Sequence, residues 1–286
     1  MRSILFIIIL SLCYSNFSYQ GLLLPNSTDE LLSNHSQYLI FKNFLSNNKI
    51  KKKVSSSIFR LPQDINMTSF QYISLPYTSN YFHYFSMNII DYGDFSDSES
   101  NISFNAKDII LKHNLIKPIN NKLQGTIGAT YMNSNIENYS SSVLSMQSSL
   151  SMKHKNFLVH TSINNYGFVI NHYTSHNESL PAYYNISIMY LPKYLDSVLL
   201  ISHNYFNNYS ITNLFGELMI KDNYSITVGY SSIAQKLYYE DFSSNFFTGA
   251  SLGFNIQYQD YILNFGIKNL GATGMINSVT FSKSLN

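Results

Sequence analysis

Asn223-Tyr224-Ser225-Ile226-Thr227-Val228-Gly229-Tyr230-Ser231 decides the fold. Tyr224, Ile226, Val228 and Tyr230 alternate with Ser225, Thr227, Gly229 and Ser231, so one face is apolar and aromatic while the other is small and polar. That period of two is the signature of a strand covered on one side only. Leu252, Phe254, Ile256 and Tyr258 alternate in the same way with Ser251, Gly253, Asn255 and Gln257. Tyr261, Leu263, Phe265 and Ile267 follow, and Ile127, Ala129 and Tyr131 oppose Gln124, Thr126, Gly128 and Thr130. Two architectures show this alternation. A soluble sandwich turns the apolar face inward and presents a charged outer face, whereas a membrane barrel turns it to lipid and lines its lumen with the polar one. Here the polar face is Ser, Gly, Asn, Gln and Thr with almost no charge, and apolar segments often end in Tyr or Phe, as interfacial girdles do. The membrane barrel fits better.

Strands are expected near 53–60, 67–75, 80–92, 103–115, 121–132, 139–152, 157–171, 182–191, 196–206, 209–220, 223–233, 245–258, 260–268 and 274–284. These fourteen place both ends of the barrel on the periplasmic side. The longer links 93–102, 172–181 and 234–244 then share one side and the short turns the other, as in bacterial outer-membrane barrels. The fold class expected is therefore all-β: a transmembrane antiparallel β-barrel of about 14 strands over 53–286, preceded at 21–52 by a plug-like, irregular or short helical segment. Asp94, Asp97, Glu99, Glu137, Glu178, Glu240 and Asp241 fall on the long-loop side; Lys117, Lys153, Lys155, Lys193 and Lys221 fall near short turns. This sorting reads either as ordinary solvated loops or as a polarised surface that steers a partner or ion. Lys51–Lys53 reads as a solvated turn.

Composition agrees. The 286 residues are 45% hydrophobic but only 12% charged, with 24 Tyr, 20 Phe and no Trp. A net charge of +2 argues against a nucleic-acid partner. Arg2 and the apolar run Ile4–Leu12 have the form of a signal peptide over 1–20, too short to span a bilayer, with the mature start near 16–21. Cys13 lies inside it, so the mature chain would hold no cysteine for a disulfide framework or thiolate chemistry. A Gram-negative outer membrane follows as the expected location, and its lipid as the first partner.

Chemistry is sparse. No phosphate loop is present, no cofactor is implied, and His172 and His176 lie four apart in an expected loop, where that spacing has no helical meaning. His160 and Ser162 share one strand face, as the acyl-transfer pair of an outer-membrane phospholipase does. With no orienting Asn or Asp evident, they read as a polar pair. No enzyme is expected.

Four ordered segments resemble the PorV/PorQ family of outer-membrane proteins. They are Phe85–Phe95 with Ser103–Asp108; Ile163-Asn164-Asn165-Tyr166-Gly167 with Leu180-Pro181 and Tyr190-Leu191-Pro192; Leu214–Leu218 with Val228-Gly229-Tyr230; and Thr248–Phe254 through Phe281. Only Leu24-Pro25 and Leu61-Pro62 stand where the family shows an Asn-Pro-Ala-like segment, and the chain ends without a terminal aromatic. The resemblance implies a fourteen-stranded barrel similar to the long-chain fatty acid transporter fold. It also implies a role in type IX secretion or surface attachment, with secretion subunits and exported cargo as partners. Under that reading, the acidic connection 93–101 is the partner contact: Asp94, Asp97 and Glu99 supply charge, and Phe95 supplies an apolar anchor. The alternative is a channel for hydrophobic small molecules, with an apolar pocket lined by Leu31, Leu32, Ile40 and Phe44 inside the barrel. A second alternative is a soluble secreted β-rich adhesin.

Overall fold

The computed structural model describes residues 19–46, 52–74, 81–97, 102–173, 179–221, 223–233 and 247–285. Residues 1–18 of the expected signal peptide (1–20), Cys13 included, lie outside them, as do Glu99 and His176. Fourteen antiparallel strands close into one barrel. They are β1 (Lys52–Arg60), β2 (Asn66–Ser74), β3 (Phe82–Asp97), β4 (Ile102–Asn120), β5 (Leu123–Ile136), β6 (Tyr139–His154) and β7 (Phe157–Asn171), then β8 (Tyr183–Tyr190), β9 (Ser197–Phe206), β10 (Ser210–Lys221), β11 (Tyr224–Ser231), β12 (Ala250–Tyr258), β13 (Tyr261–Asn269) and β14 (Met275–Leu285). Each strand pairs with its sequence neighbours, and β1 closes the ring on β14 from Lys52 opposite Leu285 to Arg60 opposite Asn277. Closure leaves no sheet edge, which a bilayer would not tolerate. Inward hydroxyls reinforce the seam: Thr280 Oγ1 to Ser57 Oγ and Ser282 Oγ to Ser55 Oγ are both 2.9 Å.

The burial pattern is inside out. Val54, Ile58, Phe70, Tyr131, Ile226, Val228 and Leu252 are exposed, while Ser55, Ser57, Ser69, Thr130, Ser225 and Thr227 are buried. Val228 is 55% exposed and its neighbour Thr227 only 4%. An apolar belt facing out and a polar interior suit lipid outside and a lumen within.

One rim of the barrel holds both its ends, Lys52 and Leu285; we call it the terminal rim. The opposite, or loop, rim holds the longest links, 172–182 and 232–249. The expected long loop at 93–102 is largely strand. β3 runs on to Asp97 and β4 starts at Ile102, so Asp94 lies opposite Asn105 and Asp97 opposite Ile102. A register shift between Asp91 and Asp94, with Gly93 at φ +78°, lets the hairpin continue past the point where the alternation breaks.

The N-terminal segment fills the lumen. A 3-10 turn (Gln20–Leu23) precedes α1 (Thr28–Ser33) and α2 (Tyr38–Ser46). Tyr19 stacks on Tyr173 of a loop-rim link, 6.5 Å between centroids. At the other end Lys153, beside a terminal-rim turn, donates to the carbonyl of Phe44 at 3.3 Å. Residues 19–46 therefore run down the barrel from loop rim to terminal rim.

Candidate functional site

At six residues α1 is too short to persist alone, so the wall must hold it. Ser27 caps it, accepting from the Glu30 amide at 3.3 Å, and Glu30 reaches back to the Asn26 amide at 2.9 Å and to Asn26 Nδ2 at 2.7 Å. The Thr28 amide and hydroxyl both meet Thr280 Oγ1 at 2.9 Å. Asn264 donates to Asp29 at 2.8 Å, Tyr84 to Glu30 at 3.2 Å, and Lys268 to Asn34, which ends the helix in a left-handed conformation. Every residue of α1 is buried.

What lets a helix approach a sheet this closely is an inward patch of three glycines on β11, β12 and β13. A Cβ on Gly253 would sit 2.2 Å from Leu32 Cδ1. One on Gly266 would lie 2.6 Å from Thr28 Cγ2, and one on Gly229 2.7 Å from the Leu32 carbonyl. Any side chain there would occupy the helix's space. The burial of the Asp29 carboxyl pushes its pKa up to about 6, with Lys53 pulling it down and Glu217 adding to the rise.

The second helix is held differently. Tyr38, Phe41 and Leu45 pack with Leu158, Met189, Val198, Leu200 and Phe215 in an apolar cluster. Its polar anchor is Glu217 on β10, which accepts from Tyr38 Oη at 2.6 Å, Lys42 Nζ at 2.6 Å and Ser225 Oγ at 3.1 Å. His35, between the helices, contacts Ser187 Oγ at 2.8 Å and the Ser36 carbonyl at 2.8 Å. Burial pulls its pKa down to about 4, keeping the ring neutral.

Toward the loop rim, Tyr19, Leu22 and Leu31 pack against Phe59, Ile90, Ile110, Met132 and Val143 in another apolar cluster. Leu31 belongs to this cluster and its neighbour Leu32 to the one around α2, so α1, with its buried polar groups, stands between two separate apolar clusters. Leu31, Leu32 and Ile40 are buried and Phe44 is partly buried, all in the barrel interior as expected. They fill that interior; they do not line an open pocket.

His160 and Ser162 do share the inner face, but they do not form an acyl-transfer pair. His160 Nδ1 meets Ser151 Oγ at 2.9 Å and its ring lies tilted against Phe41, while Ser162 accepts from Asn164 at 2.7 Å. Of the residues expected at the partner contact, Asp94 is exposed on the β3 extension, and the backbones of Phe95 and Asp97 continue that strand. The sequence reading missed the glycine seat and Glu217. Gly229, Gly253 and Gly266 all stand at inward positions of adjacent strands, and Glu217 is a lone acid on an inward face, which is the signal that could have found them.

The outer surface carries one marked feature, an apolar groove of about 590 Å³ across β1–β6, lined by Val54, Tyr72, Phe85, Leu111, Ala129 and Tyr131. The strand ladders run unbroken beneath it, so it does not open into the lumen.

A closed barrel with a lipid-type exterior and a helical segment packed through its lumen defines a plugged transmembrane β-barrel. No family model and no curated protein matches the chain. Solved structures do. The Pseudomonas putida toluene transporter TodX is 8% identical, with 95% of each chain covered and a TM-score of 0.56. A Pseudomonas aeruginosa FadL homologue is 9% identical, covering 93% of this chain and 96% of its own, with a TM-score of 0.54. The CymD monoaromatic hydrocarbon channel is 10% identical, covering 92% and 98%, with a TM-score of 0.58. The chain thus has the fold of outer-membrane barrels of the FadL and hydrocarbon-transporter kind. These likenesses are likenesses of fold and do not single out the PorV/PorQ family.

Proposed function

We propose that the protein is a non-enzymatic channel for hydrophobic small molecules in the outer membrane of a Gram-negative bacterium. The observation that carries this reading is the filled lumen. A porin for hydrophilic solutes needs a water-lined passage, whereas here the plug packs into the barrel interior through two apolar clusters, one holding Leu31 and the other Leu32. An apolar solute could exchange contacts with these clusters at little cost, while a sugar or ion would meet no continuous water-filled path through the packed plug. The likeness in fold to TodX, a toluene transporter, and CymD, a monoaromatic hydrocarbon channel, supports this class of solute.

The test is uptake by a Gram-negative host that lacks its own hydrocarbon channels. Expressing the full chain should raise entry of labelled toluene or a long-chain fatty acid and leave maltose-sized sugars unchanged. Sugar entry, or no gain for either apolar solute in cells with correctly inserted barrel, would rule the reading out.

A further inference from the structure

The outer groove has a chemically distinct end. Its row nearest the terminal rim contains Val54, Tyr72, Phe85, His113 and Ala129, successive outward positions on β1–β5. Ala129, between bulkier neighbours, makes the hollow. Toward the terminal rim the same outward faces carry two histidines and two lysines among the apolar Leu115, Ile119 and Ile127. His83 stands two residues before Phe85, with Nδ1 3.1 Å from His113 Nε2, and the His113 ring stacks on Phe85 at 4.2 Å. Lys117 continues the face of His113, its Nζ 5.1 Å from the centroid of the Tyr81 ring. Lys52 stands two residues before Val54. Aromatic and basic side chains at the end of an apolar belt mark the level of lipid headgroups.

We propose that this groove holds one phospholipid of the periplasmic leaflet. Its acyl chain lies in the hollow over Ala129, and its phosphate is met by Lys117, Lys52 and the His83–His113 pair. The occupant is argued from charge: the outward side chains that line the hollow are apolar apart from His113, and the two lysines, Lys52 and Lys117, stand only toward the end where a headgroup of that leaflet would be. An anionic headgroup with no cationic nitrogen of its own gains most from such a rim. The basic residues near the terminal rim then have a task that does not depend on channel activity, because the wall beneath the groove is closed.

The experiment is native mass spectrometry of the full chain released from detergent, offered phosphatidylglycerol or phosphatidylcholine of identical chains. One phosphatidylglycerol should be retained, roughly tenfold more tightly than phosphatidylcholine. The double variant Lys52→Gln with Lys117→Gln should bring the two lipids to equal retention. Ala129→Phe, or independently Leu144→Trp at the far end of the groove, should abolish retention while heat-modifiable gel mobility shows an intact barrel. Glycerol 1-phosphate in millimolar excess should not displace the lipid. Equal retention of both lipids by the parent, a lipid kept when both groove-filling variants fold, or displacement by glycerol 1-phosphate would overturn the proposal.

Discussion

The two helices of the plug are held by opposite means. α1 is wholly buried and locked by shape: Leu32 and Thr28 fit over glycines of the wall, and Thr280, Asn264 and Lys268 take up its polar groups. α2 is longer, only four of its residues are buried, and one carboxylate, Glu217, takes the hydrogen bonds of its Tyr38 and Lys42 side chains. A helix fixed by backbone fit cannot shift without clashing, whereas one fixed by rotatable side chains can loosen in steps. The comparison makes α1 the anchor and α2 the part of the plug that yields first.

The largest effect should come from Gly253→Val, which puts atoms where Leu32 sits and costs α1 about 3 kcal/mol of overpacking. The barrel should still insert, but the plug should leave its seat, giving steady ion conductance and protease cleavage within 19–46. A silent, protease-resistant variant would show that the glycines do not hold α1.

A pH difference sharpens the same point. Asp29, raised to about 6, keeps its proton up to about that pH when α1 is seated but ionises near 3.8 when free. Seating is therefore favoured at low pH and weakens as pH rises from about 4 to 6. His35, lowered to about 4, acts in the opposite sense: its neutral form is favoured when seated, and that advantage is lost as pH falls from 6.5 toward 4. The two nearly cancel. His35→Gln should uncover the Asp29 slope, with the plug less stable at pH 7 than at pH 4 by about 2–3 kcal/mol. Hydrogen exchange of the α1 amides would measure it.

Glu217→Gln should free α2 while leaving α1 protected in the same exchange experiment. The loss is about 2 kcal/mol, less than for a fully buried pair because Lys42 keeps some contact with water. The smallest effect belongs to Ser27→Ala, which removes the cap of α1 at about 1 kcal/mol and should speed exchange of the Glu30 amide without opening the plug.

Most of the wall was legible. Period-two alternation located all fourteen strands, because the side facing lipid and the side facing the lumen demand different residues at every step. It separated Val228 from Thr227 correctly. What alternation cannot reveal is what occupies the lumen. Thr227 reads as facing a polar lumen, and the space before it is taken by the plug, so an arginine there would have to displace packed atoms, not enter water. The β3–β4 hairpin was read as too short because Gly93 interrupts the pattern that both arms resume. Function was less legible still. The ordered motifs of the secretion-family resemblance are mostly strand and turn patterns that any such barrel needs, while the plug contacts join residues more than two hundred positions apart, such as Thr28 with Thr280.

The central claim is that the lumen is closed by its own N-terminal segment, and planar-bilayer recording tests it most directly. The full chain, inserted singly at neutral pH, should pass no steady ion current, and Gly253→Val under the same conditions should conduct. A steady, ohmic current through the unaltered chain would contradict the account.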